Sequence, residues 1–361
     1  MNKTSLKRAR IAVICASNPG NAGMYSVDLA AHQFFTRLGV EFELMTSHAP
    51  PKLARYRLLE LGLDIGHKNT ERYGNLMFRR LKSRSQFSKF THVVYWGDFT
   101  PNPVYGREDY VRLIRRYDTK LSPEQAIVKW SELYNLKDGA ILARTLAIGN
   151  NFQHDFSSDA SVNSAFENLQ TYFDVILPRD TYSVKNLKEY FAEKNREKVG
   201  WGMDPAFLLD ANELPGIIRK KSGHFCYQFS RSNLPGIDHI IKRFSDISGL
   251  KSLQLDQWST LKSEHAESVF AEYLSEIRSA ECVITDLYHL AINAIREGTP
   301  VICLGNPAKT QSGSLGDFKK KVLFEMLDMQ NCYIEMDEHG CVLGKTSENV
   351  ETVFAQRLSE I

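Results

Sequence analysis

Hydrophobic positions fall along this chain in short continuous runs, each followed by a polar or glycine-containing turn and then by apolar residues three and four apart. "RIAVICAS" (residues 10–17) leads into "NPGNAG", and Val27, Ala30, Ala31, Phe34, Phe35 and Leu38 follow at helical spacing. A strand buried on both faces reads as an unbroken apolar run, so run, turn and helix in repetition predict a parallel sheet covered by helices. "VEFELMT" (40–46) and "THVVYWGDF" (91–99) read as further strands. "GAILARTLAIG" (139–149) fits a strand, while its Leu and Ala leave a helix open. Residues 105–138 are charged and helical in pattern, and "SPEQ" (122–125) is a helix start with Ser122 as N-cap and Pro123 at the first position.

"FDVILPRDTYSVKNLKEYFAE" (173–193) gives strand, turn and helix once more. After it "ANELPGIIRKKSG" (211–223) is polar and punctuated, as a crossing between domains would be. A second set then begins: "HFCYQFS", "LKSLQLD", a helix around Phe270, Tyr273, Leu274 and Ile277, and the strand "ECVITD". The expected fold class is α/β, with two facing Rossmann-like domains over residues 1–210 and 211–345 and an interdomain cleft. A closing helix over 346–361 is expected to pack back on the first domain. Ligands of such sheets bind outside the carboxyl ends of the strands. The loops to inspect therefore follow Ser17, Tyr95, Ile148, Leu177, Phe229 and Thr285.

Composition narrows the classes. The 361 residues are 43% apolar, and 45 Lys and Arg against 43 Asp and Glu leave a net charge of +2. That balance gives no electrostatic footprint for nucleic acid, so any anion site must be local. The apolar run at 11–16 is too short for a signal-peptide core, and no stretch reaches the roughly 18 apolar residues of a membrane span, so a cytoplasmic location is expected. Six cysteines, Cys15, Cys226, Cys282, Cys303, Cys332 and Cys341, are scattered and form no CxxC pair or metal-finger spacing.

Three stretches carry candidate chemistry. In "VITDLYHLAINAIREGTPVICLG" (283–305), a helix capped by Thr285 or Asp286 has an apolar stripe of Leu287, Leu290, Ala291, Ala294 and Ile295. His289 then points away from that stripe, in the first turn, where the helix dipole attracts anions. A solvated surface histidine is the plain alternative. In "PRDTYS" (178–183), Arg179 stands where a strand hands over to a helix capped by Thr181 or Ser183, placed to clamp a carboxylate or phosphate; a surface pair with Asp180 or Asp174 is the plain alternative. "SNPGNAG" (17–23) permits a tight turn before a helix start but lacks dinucleotide and P-loop spacing. Near other strand ends lie Trp96, placed to stack on a sugar or to pack, Asp98, Gln153, His154, Ser230 and Arg231. Lys309 adds positive charge, and the run Lys319, Lys320, Lys321 reads as a solvated helix face.

"GNAG" before a helix, "RDTYS", "DPAFLL", "FSRS" and "ITDLYHLAINAIREGTP" follow one another in an order that resembles the polysaccharide pyruvyl transferase family, from about residue 11 to about residue 328. The resemblance implies two facing Rossmann-like domains of GT-B type. It implies transfer of a carboxyethylidene group from phosphoenolpyruvate to two hydroxyls of a saccharide acceptor, in polysaccharide biosynthesis, with no metal or organic cofactor. Arg179 and His289 match family positions: His289 is assigned to proton transfer or donor phosphate binding, and Arg179 to the donor anion. Arg231 and Lys309 join the donor set; Asn21, Trp96, Asp98, Gln153 and His154 form the acceptor set. The chain departs from the family at Met24, where an Asp is usual, and at Leu287 and Leu290, which replace the Arg and Gly of its "DRLHG". Either Arg231 or Lys309 substitutes for the missing Arg, or the donor differs. A GT-B glycosyltransferase using a nucleotide sugar, and a noncatalytic glycan-binding descendant, are the alternatives.

Overall fold

The computed structural model describes residues 9–15, 20–46, 70–117, 120–137, 142–154, 160–214, 222–232, 234–306 and 317–337. Lys309, Cys341 and the expected closing helix at 346–361 lie outside these residues. The chain divides into two compact units, the first comprising Met1–Pro19 and Met24–Leu209, the second Gly20–Gly23 and Asp210–Ile361. The division falls one residue before the expected boundary, and a four-residue piece of the early chain belongs to the second unit.

The first unit is built on seven strands: β1 (Arg10–Ile14), β2 (Glu41–Thr46), β3 (Thr70–Tyr73), β4 (Leu76–Arg80), β5 (His92–Trp96), β6 (Arg144–Ile148) and β7 (Val175–Leu177). Their order is β3-β4-β2-β1-β5-β6-β7, parallel except for the β3–β4 pair. Helices α1 (Ala22–Leu38), α2 (Tyr105–Tyr117), α3 (Pro123–Trp130), α4 (Ala160–Tyr172) and α5 (Thr181–Tyr190) connect them. The central strands carry the unbroken apolar runs that the sequence shows, and Ala12, Ile14, Val93, Tyr95, Ala147 and Ile176 meet in one core. Over its described residues the open choice at 139–149 resolves to the strand Arg144–Ile148, because β6 is enclosed between β5 and β7. Ser122 caps α3 through a full capping box with Gln125.

The second unit has five parallel strands: β8 (His224–Gln228), β9 (Lys251–Gln254), β10 (Cys282–Thr285), β11 (Val301–Gly305) and β12 (Tyr333–Glu335), in the order β12-β11-β10-β8-β9. Helices α6 (Ile237–Ser248), α7 (Ala266–Ser279), α8 (Tyr288–Arg296) and α9 (Phe318–Met326) lie between them. Phe270, Tyr273, Leu274 and Ile277 form the buried stripe of α7 that the spacing predicts. In each sheet the chain first steps one way and then reverses, between β1 and β5 in the first and between β8 and β10 in the second. Such switch points leave a crevice at the carboxyl ends of the two strands, where ligands of open α/β sheets bind. Among the described residues, no helix is long and apolar enough to cross a membrane.

Candidate functional site

At the second unit's switch point the loop after β8 and the turn after β10 are tied together by one carboxylate. Asp286 accepts backbone N–H bonds from Ser230 (3.0 Å), Arg231 (2.8 Å) and Ser232 (2.6 Å). Three donors on one buried carboxylate offset its loss of water and fix the loop that carries Arg231, itself exposed. Asp286 therefore does not cap α8. Thr285 serves the turn instead, accepting from Leu287 N (3.0 Å) and donating to Gln228 O (2.7 Å).

Beneath this loop Lys320 is fully buried, which corrects the reading of residues 319–321 as a solvated face. Its ammonium donates to Ser232 Oγ (2.8 Å), Asp286 O (3.0 Å) and Leu304 O (2.8 Å), and it pairs with Asp317. Asp317 in turn accepts from Ser232 Oγ (2.7 Å) and Asn306 N (2.8 Å). A buried ammonium is tolerated only with such partners, so this lysine fastens α9 to both loops of the crevice. Burial pushes the neighbouring Cys303 thiol up to about 12, so it stays protonated.

His289 lies in the first turn of α8, half-buried, with its ring edge-on to Tyr288 at 5.0 Å. It is not a solvated surface histidine. Leu290, Ala291 and Ala294 take the predicted apolar stripe, but Ile292 and Asn293 are buried too, so α8 is covered on more sides than the stripe requires. The cover over His289 is the segment Gly20–Gly23: a Cβ placed on Gly23 would lie 2.5 Å from His289 Cβ. Asn21 ends this segment's turn, its Oδ1 accepting from Gly23 N at 2.9 Å. The structure thus brings Asn21, Arg231, Asp286 and His289 to one switch point.

The first unit gathers a second polar cluster at the carboxyl ends of β5, β6 and β7. Arg179 sits there, but not as an open anion clamp and not in a surface pair with Asp180 or Asp174. Its side chain is 1% exposed and pairs with Asp204, 2% exposed, at 3.4 Å, and its guanidinium lies 5.1 Å from the Phe99 ring centre. The correction has a plain cause: the chain returns through "MDP" at 203–205 and places a carboxylate against the guanidinium. Asp180 is the N-cap of α5, accepting from Ser183 N, in place of the expected Thr181 or Ser183. Burial raises the Asp180 carboxyl above its ordinary range, against the pull of Arg179 and the Ser183 bonds. Asp174 instead accepts from Thr145 N (2.8 Å).

Arg179 N donates to Asn150 O (3.2 Å), in the loop after β6 that also carries Gln153 and His154. Asn150 Nδ2 donates to Gly97 O, while its Oδ1 has no hydrogen-bond partner among the described residues. The Gln153 amide lies beside the Asp180 carboxyl yet completes no hydrogen bond of ordinary geometry there. His154 stacks on Tyr105 with ring centres 5.9 Å apart, and burial pushes its pKa down to about 4, so it is neutral at physiological pH. Asp98, half-buried, adopts a left-handed backbone (φ 53°), and its carbonyl accepts from Asn151 N (3.0 Å). Trp96 is a second correction. It is fully buried, its Nε1 donates to Val27 O (2.9 Å), and its ring packs on Phe34 and Phe35, so it cannot stack on a sugar.

Lys320, Asp204 and Gly23 were not singled out by sequence. Asp204 stood inside a noted motif without a role, and Lys320 was hidden in a charged run. Among the described residues no group of three His, Cys, Asp or Glu side chains gathers as a metal site.

The family model described as polysaccharide pyruvyl transferase matches residues 99–307, more than half of the chain. No curated protein matches. Among solved structures, a functionally uncharacterized protein from Klebsiella pneumoniae is 16% identical with a TM-score of 0.46, covering 92% of this chain and 95% of its own. The UDP-GlcNAc 2-epimerase of Methanocaldococcus jannaschii is 9% identical with a TM-score of 0.40, over 97% and 98% of the two chains. Anabaena HepE, solved with UDP and glucose, is 9% identical with a TM-score of 0.37, over 98% and 100%. The fold assignment rests on the two parallel sheets themselves.

Proposed function

The chain belongs to the polysaccharide pyruvyl transferase family, and from that premise we propose that it transfers a carboxyethylidene group from phosphoenolpyruvate to two hydroxyls of one sugar. In this scheme the methylene carbon of the donor takes a proton, leaving an oxocarbenium-like C2 that one hydroxyl attacks. Phosphate leaves, and the second hydroxyl closes the ketal. Of the two hydroxyl protons released, one balances the proton taken by the methylene carbon and the other leaves on hydrogen phosphate. The steps call for a proton carrier, cations for the donor and hydrogen-bonding groups for the sugar, and for no metal or organic cofactor.

His289 is the proton carrier in this reading, with Arg231, and Lys309 outside the described residues, binding the donor anion. The observation that supports it is a half-buried imidazole in a helix's first turn, at a switch point whose neighbouring loop is clamped by Asp286. Arg231 then stands in for the arginine replaced by Leu287. Asp98, Gln153 and His154 are proposed to bind the acceptor; the buried Gln153 amide, which completes no ordinary hydrogen bond among the described residues, suits sugar hydroxyls, which donate and accept. The cytoplasm is the proposed location, since the donor is made there.

The test is phosphate release and product mass with phosphoenolpyruvate and candidate sugars, comparing wild type with His289→Ala and Arg231→Ala. The expected result is a ketal product from wild type and at least a hundredfold loss in His289→Ala, within the usual contribution of general acid–base catalysis, about 10²–10⁴. Neither binding nor consumption of phosphoenolpyruvate with any acceptor would end the proposal. Thermal stabilisation by nucleoside diphosphates alone would point to a glycosyltransferase. Saccharide binding without turnover, unchanged in His289→Ala, would point to a noncatalytic descendant.

A further inference from the structure

Gly23 stands in the first turn of α1 with an ordinary helical backbone, not the left-handed conformation that calls for glycine. Alanine is the better helix former at such a place, so local structure does not explain the glycine. The reason lies 266 residues away in the chain. A Cβ on Gly23 would stand 2.5 Å from His289 Cβ, 3.0 Å from His289 Cγ and 3.0 Å from Asn21 Oδ1. Carbon atoms rest at about 3.5–4.0 Å, so one methyl group requires about an ångström of displacement.

Neither side has slack. Ala22 N donates to Trp258 O (2.7 Å) and Leu261 N to Gly20 O (2.6 Å), which pins the segment to the turn after β9. Gly23 N is held by Asn21. On the other side Leu290, Ala291 and Ile292 are wholly buried, and the His289 carbonyl accepts from Asn293 Nδ2 (2.6 Å). His289 Cβ is fixed by the backbone of α8, so no rotation of the ring relieves the contact: the first turn of α8 must shift, and it carries the imidazole with it.

We infer that Gly23 is a positioning residue for His289: its missing side chain sets where the imidazole stands. The inference rests on the proposed role of His289 for its effect on turnover, though not for the contact itself. Charged groups beside the neighbours of His289 include Asp286, whose carboxylate accepts from the loop N–H groups, and Lys319, whose ammonium lies 5.0 Å from the Tyr288 ring centre.

The test uses Gly23→Ala, His289→Gly and the double variant of the full chain, since His289→Gly removes the Cβ that Gly23→Ala would meet. Three readouts are taken: melting temperature, the ring resonances of 13C-labelled histidine, and kcat and KM for phosphoenolpyruvate. The His289 signal is the one absent from His289→Gly. Expected are a moved His289 signal in Gly23→Ala and a kcat lower by about 10²-fold, the usual effect of an ångström's misplacement, with KM changed less. A melting temperature lowered by Gly23→Ala in the wild-type background but not in His289→Gly completes the expectation. Should Gly23→Ala fail to fold while the double variant folds, the contact is equally supported. An unmoved His289 signal, or the same loss of stability in both backgrounds, overturns the inference. A moved signal with wild-type turnover would overturn the role of His289 and leave the contact standing.

Discussion

Replacing Arg179 by methionine separates a structural guanidinium from one that binds substrate. The Arg179 and Asp204 side chains are 1% and 2% exposed and 3.4 Å apart. The substitution keeps most of the apolar stem but removes the guanidinium from the buried Asp204 carboxylate, which still accepts from Ala206 N at 3.0 Å. Removing one partner of a buried pair costs about 3–5 kcal/mol, because the other charge stays out of water uncompensated. Loss of the cation over Phe99 adds about 1 kcal/mol. A sum near 4–6 kcal/mol is comparable with the whole stability of many domains, about 5–15 kcal/mol. Urea unfolding followed by tryptophan fluorescence reports on this unit through Trp96 and Trp130, both in its core. Adding Asp204→Asn to Arg179→Met should recover part of the loss, since the stranded charge goes. If Arg179→Met unfolded within about 1 kcal/mol of wild type while losing more than a hundredfold in phosphate release, the structural reasoning would be refuted and Arg179 would return to the donor site.

Lys320→Met should cost about 3–5 kcal/mol in urea unfolding, since Asp317 and two carbonyls lose their donor; Lys321→Met, which breaks a half-exposed pair with Glu335, should cost at most about 1 kcal/mol. His154 is neutral in the fold down to about pH 4, whereas in the unfolded chain it takes a proton near pH 6.5. The unfolded state therefore binds more protons in that window, and stability should fall as pH falls from 6.5 towards 4, by at most about 1.4 kcal/mol per pH unit from this group. His154→Gln should flatten that slope; an unchanged slope would place the imidazole in solvent. Trp96→Phe should leave the acceptor KM unchanged and cost about 1–2 kcal/mol, because it removes the bond to Val27 O and some packing; a tenfold rise in acceptor KM would contradict its burial.

The strands of both sheets and the helices between them were legible because burial on two faces and on one face leaves different periods in the sequence. β1, β5 and β10 carry the unbroken apolar runs 11–14, 93–96 and 282–284, α7 repeats at three and four, and Ser122 with Gln125 marks a helix start through contacts three residues apart. The hairpin β3–β4 escaped because "TERYGNLMFRR" mixes charges into short strands at a sheet edge, and β12 escaped because three residues are too few to show a period. In α4 the buried Val162, Ala165, Phe166 and Leu169, and in α6 Ile237, Ile240, Ile241 and Phe244, keep the helical spacing, so both stripes are present in the sequence. His289 in a first turn after β10 was likewise a local fact, and sequence was enough to find it.

What faced each charged or aromatic group was not local. Arg179 met Asp204 and not its neighbour Asp180; Lys320 turned inward while Lys321 paired at the surface; Trp96 went to the core; Gly23 came to rest on His289. Periodicity records which side of an element is apolar, since that is set by residues two to four apart. Which partner arrives from a distant part of the chain is set only when the sheets close, because desolvation then decides whether a charge is kept, paired or excluded.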